Sequence, residues 1–210
     1  MRITYLFDPL CGWCYGAGPA LEKLSRLDDV TLGLLPTGLF AGEGSRPIDQ
    51  RFADYAWQND QRIAQLTGQI FSDLYRERVL GAVGGRFDSG PATLGLVAVG
   101  LSEPARELDA LKSLQNARYR DGRDNSDLGV VAETLTAAGF VEAARRVQMP
   151  DEPLLAAHQS RIAAARADMA RFGVQGVPGI LLGSGDRRRK IDSSLLYGDF
   201  DLLVAELRLA

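Results

Sequence analysis

The chain of 210 residues is 46% hydrophobic and 24% charged, enough to bury a core in one large domain or in a small domain carrying an insertion, and unlike a disordered chain. Its net charge of −3 argues against nucleic acid as the main partner, since phosphate binding needs concentrated positive charge. No apolar run approaches the ~18 residues that span a bilayer. The opening MRITYLFDP also lacks the apolar stretch and small-residue cleavage site of a secretory leader, so the expected location is the cytoplasm, away from membranes.

In chain order, RITYLFD (Arg2–Asp8) is β-branched and aromatic and stops at Asp-Pro, the pattern of a strand. The segment LFDPLCGWCYGAGPALEKL follows and holds the only two cysteines, Cys11 and Cys14. Ala17, Leu21, Leu24 and Leu27 then recur at helical spacing, and VTLGLLP (Val30–Pro36) reads as a second strand. Strand–helix–strand implies a parallel pair with a right-handed crossover.

The pattern then turns helical. Phe52, Ala56, Ile63 and Leu66 fit one helix; Pro91 opens another, carrying Leu94, Val97 and Leu101. Leu108, Leu111 and Leu114 fit a third. Ser126 is expected to cap a fourth, with Leu128, Val131 and Leu135, that ends at Gly139. The longest should run from Glu152 to Phe172 and close at Gly173. His158, on its apolar stripe, reads as a satisfied core histidine rather than a base. β character returns in GVPGILLG, entered through Pro178, with RRKID as its hairpin partner and GDFDLLVAELRL as a terminal amphipathic helix. The basic run Arg187–Lys190 reads as a solvated hairpin. Three stretches result: residues 1–44 and 173–210 as two halves of an α/β core, and residues 45–172 as a helical insertion.

Two cysteines one helical turn apart can be packing residues, half of a metal site, or a redox pair. Packing fits poorly with a pair set just after a strand and bracketed by Gly and Trp. A closed zinc site needs four ligands, and the chain has no other cysteine and one histidine, so no metal is expected. Dithiol chemistry fits best: one thiolate attacks a disulfide and the second thiol resolves the mixed disulfide. If Cys11 begins the helix, its free amides and positive dipole end stabilise a Cys11 thiolate. Cys11 is then the exposed, reactive thiol and Cys14 the protected one.

With GVQGVPG (Gly173–Gly179) added, the whole chain resembles the DsbA-like branch of the thioredoxin superfamily. FDPLCGWCYG is similar to that family's strand–CxxC–helix active site, and GVQGVPG to its Gly-Val-x-Gly-Val-Pro loop. YRDGRDNSDLGVVAETLTAAGF resembles a segment in the insertion of cytoplasmic members. The resemblance implies a thioredoxin-like βαβ…ββα fold with a large all-helical insertion after the second strand. It also implies a thiol–disulfide oxidoreductase or isomerase that acts on protein or peptide disulfides without a cofactor, with glutathione as a reductant. By match to the motifs, Cys11 is the nucleophile, Cys14 the resolving thiol, Pro178 a cis-proline facing them, and Val177 the residue offering backbone groups to an extended substrate.

Two departures stand out. Gly12 and Trp13 fill positions where many oxidising members have proline and histidine, so the thiolate lacks an adjacent imidazolium. Gly179 follows the proline where relatives carry a larger residue, which would leave one wall of the groove open. Trp13 is a substrate platform or a lid on the insertion. Asp8 is a cap at the helix entry before it is a proton relay to Cys14. Tyr15 and the aromatics of FADYAW read as packing residues. Two other functions keep the architecture: a glutathione-dependent transferase or isomerase of the kappa or 2-hydroxychromene-2-carboxylate type, which typically has serine at the first position, and a redox-inert peptide-binding module.

Overall fold

The computed structural model describes residues 1–209, and its centre is the strand that opens the chain. Strand β1 (Arg2–Phe7) leads into helices α1 (Gly12–Gly16) and α2 (Gly18–Ser25) and then strand β2 (Thr31–Pro36). β1 and β2 pair in parallel, Arg2 opposite Thr31 and Phe7 opposite Pro36. The insertion comprises β3 (Arg46–Pro47), α3 (Gln50–Thr67), α4 (Asp73–Tyr75) with a π turn at Arg76–Leu80, β4 (Arg86–Phe87), α5 (Gly90–Ser102), α6 (Glu107–Tyr119), α7 (Leu128–Ala137), α8 (Val141–Gln148) and α9 (Glu152–Phe172). The chain returns through β5 (Gly179–Leu182), β6 (Arg189–Ile191) and α10 (Phe200–Arg208). The four-stranded sheet runs β2-β1-β5-β6, with β5 antiparallel to β1 and β6 antiparallel to β5. This is the βαβ…ββα order expected. The insertion is helical apart from the two-residue pair β3–β4.

Alternation along β1 decides what each face buries. Ile3, Tyr5 and Phe7 join the main core with Leu21 and Leu24 of α2 and Leu203 and Leu207 of α10. Leu6 lies on the other face with Leu181, under Ala165 and Val174. The C-terminal half of α9 therefore covers the sheet, while its Leu154 belongs to the core shared with the insertion. Burying a leucine contributes about 1.5–3 kcal/mol and a single methyl about 0.8, so α9 binds the insertion through Leu154 and the sheet through Ala165. Gly173 ends it at φ 63°, a left-handed conformation that suits glycine.

Several local readings change. The single helix expected through Leu27 is two: Ala17 closes α1 and opens α2, because Pro19 has no N–H to continue the first ladder, and Leu27 lies beyond the end. Asp127, not Ser126, caps α7, its carboxylate accepting from the Val130 amide, while the Ser126 hydroxyl donates to the Arg86 carbonyl. Helices α4 and α8, both short, were not expected, although α8 buries Ala143, Ala144 and Val147 on one face. His158 is half-buried and its Nε2 has no partner among the described residues, so it is not a satisfied core histidine. Arg188 is not solvated: it makes a bidentate pair with Asp168 and lies over the Phe172 ring at 5.0 Å.

Candidate active site

The site begins where β1 stops. Asp8 is fully buried; its Oδ1 accepts from the Leu10 amide at 3.0 Å, and its Oδ2 from the Phe40 amide at 3.1 Å and the Ser89 hydroxyl at 2.7 Å. Burial raises its carboxyl above the usual range, against these three donors. Asp8 does not cap α1 as expected, since the N-cap is Cys11 and the Asp8 carboxylate accepts from Leu10 ahead of the helix. It ties the end of β1 to the loop after β2 and to the start of α5, and sets the turn in which the Cys11 amide donates to the Asp8 carbonyl.

Cys11 is the N-cap residue of α1, in extended backbone and with no side-chain cap bond, so its sulfur is not tied to the amides of its own helix. Tyr119 locks the residue before it, donating to the Leu10 carbonyl at 2.7 Å, and Tyr5 donates to the Cys14 carbonyl at 3.3 Å. Cys14 has no exposed surface and Cys11 keeps 7%. Cys11 is the more accessible of the two, but it is not the exposed thiol expected, because the insertion and the loop before β5 close over it. Cys14 is held well above the ordinary thiol range, first by burial and then by its hydrogen bond and charge interaction with Cys11. Both are free thiols.

The second motif arrives from the far end of the chain. The Val177–Pro178 peptide bond is cis, and the Cys11 sulfur lies 3.7 Å from the Val177 carbonyl oxygen across 166 residues of sequence. Topology explains the meeting: β5 lies beside β1, so the residue entering β5 sits beside the residues leaving β1. Gly179 lies in the wall of a cleft beside Pro178 and also relieves a contact behind it. A Cβ there would lie 2.7 Å from Val174 Cγ1, so the missing side chain makes room for Val174.

Two clefts flank this junction, and Trp13 and Val177 line both. The larger, of about 860 Å³, also takes in Arg62, Pro178, Lys190, Ser193 and Tyr197 and touches neither cysteine. The smaller, of about 330 Å³, has Cys11 and Gly12 at its wall with Phe40, Phe52, Tyr55, Asp60, Tyr75 and Phe87. Phe52 and Tyr55 of FADYAW therefore line a cavity, whereas Tyr15 does pack, stacked on Tyr119 at 4.7 Å. Trp13 is half-buried, edge-on to Tyr197 at 5.1 Å, and the Tyr197 hydroxyl donates to the Trp13 carbonyl at 3.0 Å.

Sequence reasoning missed the polar group in the smaller cavity. Asp60 is 5% exposed and accepts from the Tyr75 hydroxyl at 3.0 Å. Behind Tyr75 lies Arg118, wholly buried, paired with Asp124 and with its guanidinium over the Tyr75 and Phe87 rings. Burial lifts Asp60 to about 7, partly offset by Tyr75 and Arg118. One signal was available: Asp60 falls between Ala56 and Ile63 on the apolar stripe of α3, where a carboxylate needs a reason. Tyr197 carries no comparable signal. Among the described residues no cluster of His, Cys, Asp or Glu could hold a metal, and no helix is long and apolar enough to cross a membrane.

Comparison with known proteins identifies the family and the fold. The solved structure of the cytosolic disulfide reductase DsbM from Pseudomonas aeruginosa is similar over 100% of both chains, with 31% identity and a TM-score of 0.83. The same protein solved with GSH matches at 30% identity, 99% and 100% coverage and a TM-score of 0.81. A 2-hydroxychromene-2-carboxylate isomerase shares the fold at 22% identity, 100% and 96% coverage and a TM-score of 0.67. No curated protein sequence matches. Residues 2–199 match the DSBA-like thioredoxin domain, and the chain belongs to that family.

Proposed function

We propose that this protein is a thiol–disulfide oxidoreductase that reduces or isomerises disulfides in proteins and peptides, with Cys11 as nucleophile and Cys14 as resolving thiol. The observation that carries the reading is the Cys11 sulfur at the N-cap of α1, 3.7 Å from the Val177 carbonyl beside cis-Pro178, with Cys14 sealed one turn behind. An extended peptide laid against Val177 would present its disulfide to Cys11. The Cys11 thiolate forms a bond to one substrate sulfur, and the other leaves with the electron pair. Cys14 then attacks the Cys11 sulfur, releases the first substrate sulfur, and the pair ends as a disulfide.

The order follows from charge. Part of what keeps Cys14 protonated is the neighbouring Cys11 sulfur; once Cys11 is in a mixed disulfide that charge is gone, and Cys14 ionises more easily. Two molecules of a small thiol would then return the pair to the dithiol. Glutathione suits that role: Arg62 and Lys190 in the larger cleft offer cations to its two carboxylates, and a similar disulfide reductase has been solved with GSH. That protein is described as cytosolic, in keeping with a cytoplasmic place for this one.

With Gly12 and Trp13 between the cysteines and no imidazolium, the potential should fall below that of a strong oxidant at about −120 mV. Equilibration in buffers of reduced and oxidised glutathione, read by mass spectrometry of the Cys11–Cys14 disulfide, measures it. A pair that never oxidises overturns the exchange reading and leaves the peptide-binding module. Conjugation of glutathione to an electrophile without any disulfide exchange would favour the transferase or isomerase instead.

A further inference from the structure

The second carboxylic acid near the thiols, Asp60, comes from the insertion and not from the strand–CxxC–helix unit. Its position is tightly specified. A Cβ built on Gly12 would lie 2.4 Å from Asp60 Oδ1, so the carboxyl occupies the space that any other side chain at Gly12 would claim. Gly12 follows the nucleophile directly, and Cys11, Gly12, Asp60 and Val177 line one cavity of about 330 Å³. A substrate disulfide approaching Cys11 beside Val177 has its departing half in or against that cavity.

We propose that Asp60 is the acid–base residue of disulfide exchange, donating a proton to the sulfur that leaves when Cys11 attacks. The inference rests on the exchange reading above. The Cys11 thiolate forms the new S–S bond, the substrate S–S bond breaks, and the electron pair departs on the second sulfur. That thiolate takes the proton of the Asp60 carboxyl and leaves as a thiol, while Asp60 remains as carboxylate until the solvent at the cavity mouth, beside exposed Tyr55, protonates it again. In the reverse direction the carboxylate accepts the proton of an incoming thiol.

Asp60, unlike Asp8, is built for this. Asp8 lies outside the cavity and has both oxygens engaged by three donors. Asp60 receives one donor, Tyr75 on Oδ2, and Oδ1 is the atom beside Gly12. The groups facing it are Tyr75 at the end of α4, Arg118 and Tyr119 of α6, Cys11 at the start of α1, and Arg46 of β3 across the same cavity. Desolvation dominates over Tyr75 and Arg118 and places the carboxyl at about 7. An acid near ambient pH is the effective proton donor to an alkyl thiolate, whose conjugate acid is weaker.

The test compares two leaving groups in single-turnover oxidation of the reduced protein. Bis(2-hydroxyethyl) disulfide expels an alkyl thiolate that needs a proton; 5,5′-dithiobis(2-nitrobenzoate) expels an aryl thiolate that does not. Asp60→Asn should lose at least tenfold with the alkyl disulfide at pH 6.5 and less than twofold with the aryl one. Its alkyl profile should also lack the limb that falls near pH 7 in the wild type. Tyr75→Phe removes a bond that holds the carboxyl down, so it should move that limb to higher pH, and it decides the matter if Asp60→Asn does not fold. Equal losses with both disulfides, or an unchanged alkyl rate, would overturn the role of Asp60 and leave the exchange reading standing. A wild type inert to both disulfides would overturn the exchange reading itself.

Discussion

Gly12→Ala tests the contact on which the smaller cavity depends. The new Cβ would stand 2.4 Å from Asp60 Oδ1 and 3.2 Å from Ile63 Cδ1, whereas an ordinary carbon–oxygen contact is roughly 3.3 Å or more. Asp60 must therefore swing aside, and its 3.0 Å bond from the Tyr75 hydroxyl goes with it. Leaving those two groups unpaired in a buried place costs about 1–3 kcal/mol. Replacing glycine in a helical turn returns about 0.4–1 kcal/mol through the unfolded chain. The net is a loss of about 1–2 kcal/mol, which in a domain of this size lowers Tm by roughly 2–8 °C. Thermal unfolding should be followed for Gly12→Ala, Asp60→Ala and the double variant, a cycle that isolates their coupling. With Asp60 already removed, Gly12→Ala should be neutral or slightly stabilising. The same drop in both backgrounds, or no drop in either, would refute the steric argument and the placement of Asp60 against the CxxC turn.

Other outcomes follow from the same geometry. Cys14→Ser should accumulate a mixed disulfide between Cys11 and a peptide substrate, visible as a mass adduct that dithiothreitol releases; an absence of adduct would deny Cys14 its resolving role. Alkylation of the reduced native protein should label Cys11 before Cys14, since only Cys11 keeps any surface, and peptide mapping reads the order. Burial raises Asp60 from 3.8 to about 7, so its contribution to stability is full below pH ~4 and is lost as pH rises through 7. Wild type should therefore lose stability relative to Asp60→Asn between pH 4 and 8, by an amount on the order of a few kcal/mol, measured by denaturant titration. Burial lowers His158 from 6.5, so the neutral ring is favoured in the fold and stability falls as pH drops below that value; His158→Leu should abolish this acid-side loss.

How much of this was legible in the chain depends on whether the signal was local. The strand RITYLF, the CxxC at a helix start, the five longer helices of the insertion (α3, α5, α6, α7 and α9) and the hairpin entered through Pro178 were readable, because hydrophobic period, capping and breaking residues act within a few positions. The family loop identified Pro178 and paired it with Cys11 through resemblance. The break at Pro19 is itself a local signal, because a proline has no N–H for the helix ladder. Asp127, one residue from the expected cap at Ser126, could serve equally well on spacing alone, and the hydroxyl of Ser126 was taken by Arg86 from forty residues away.

Tertiary structure decided the rest. Nothing near Asp60 in sequence says that α3 will lay it over Gly12, or that Tyr75 and Arg118 will close around it. The accessibility of Cys11 also depended on distant segments: local sequence puts it at a helix start, where a thiol is normally open, but the insertion and the Val177 loop cover all but 7% of it. Tyr197 became Trp13's neighbour only because the turn before α10 folds back on α1. The sequence alone determined the elements and the pair of thiols, since those rest on backbone preferences and side-chain period over one or two turns. The polar surroundings that tune those thiols were decided by packing between elements, where a carboxyl's environment is set by which side chains exclude water from it and not by its neighbours along the chain.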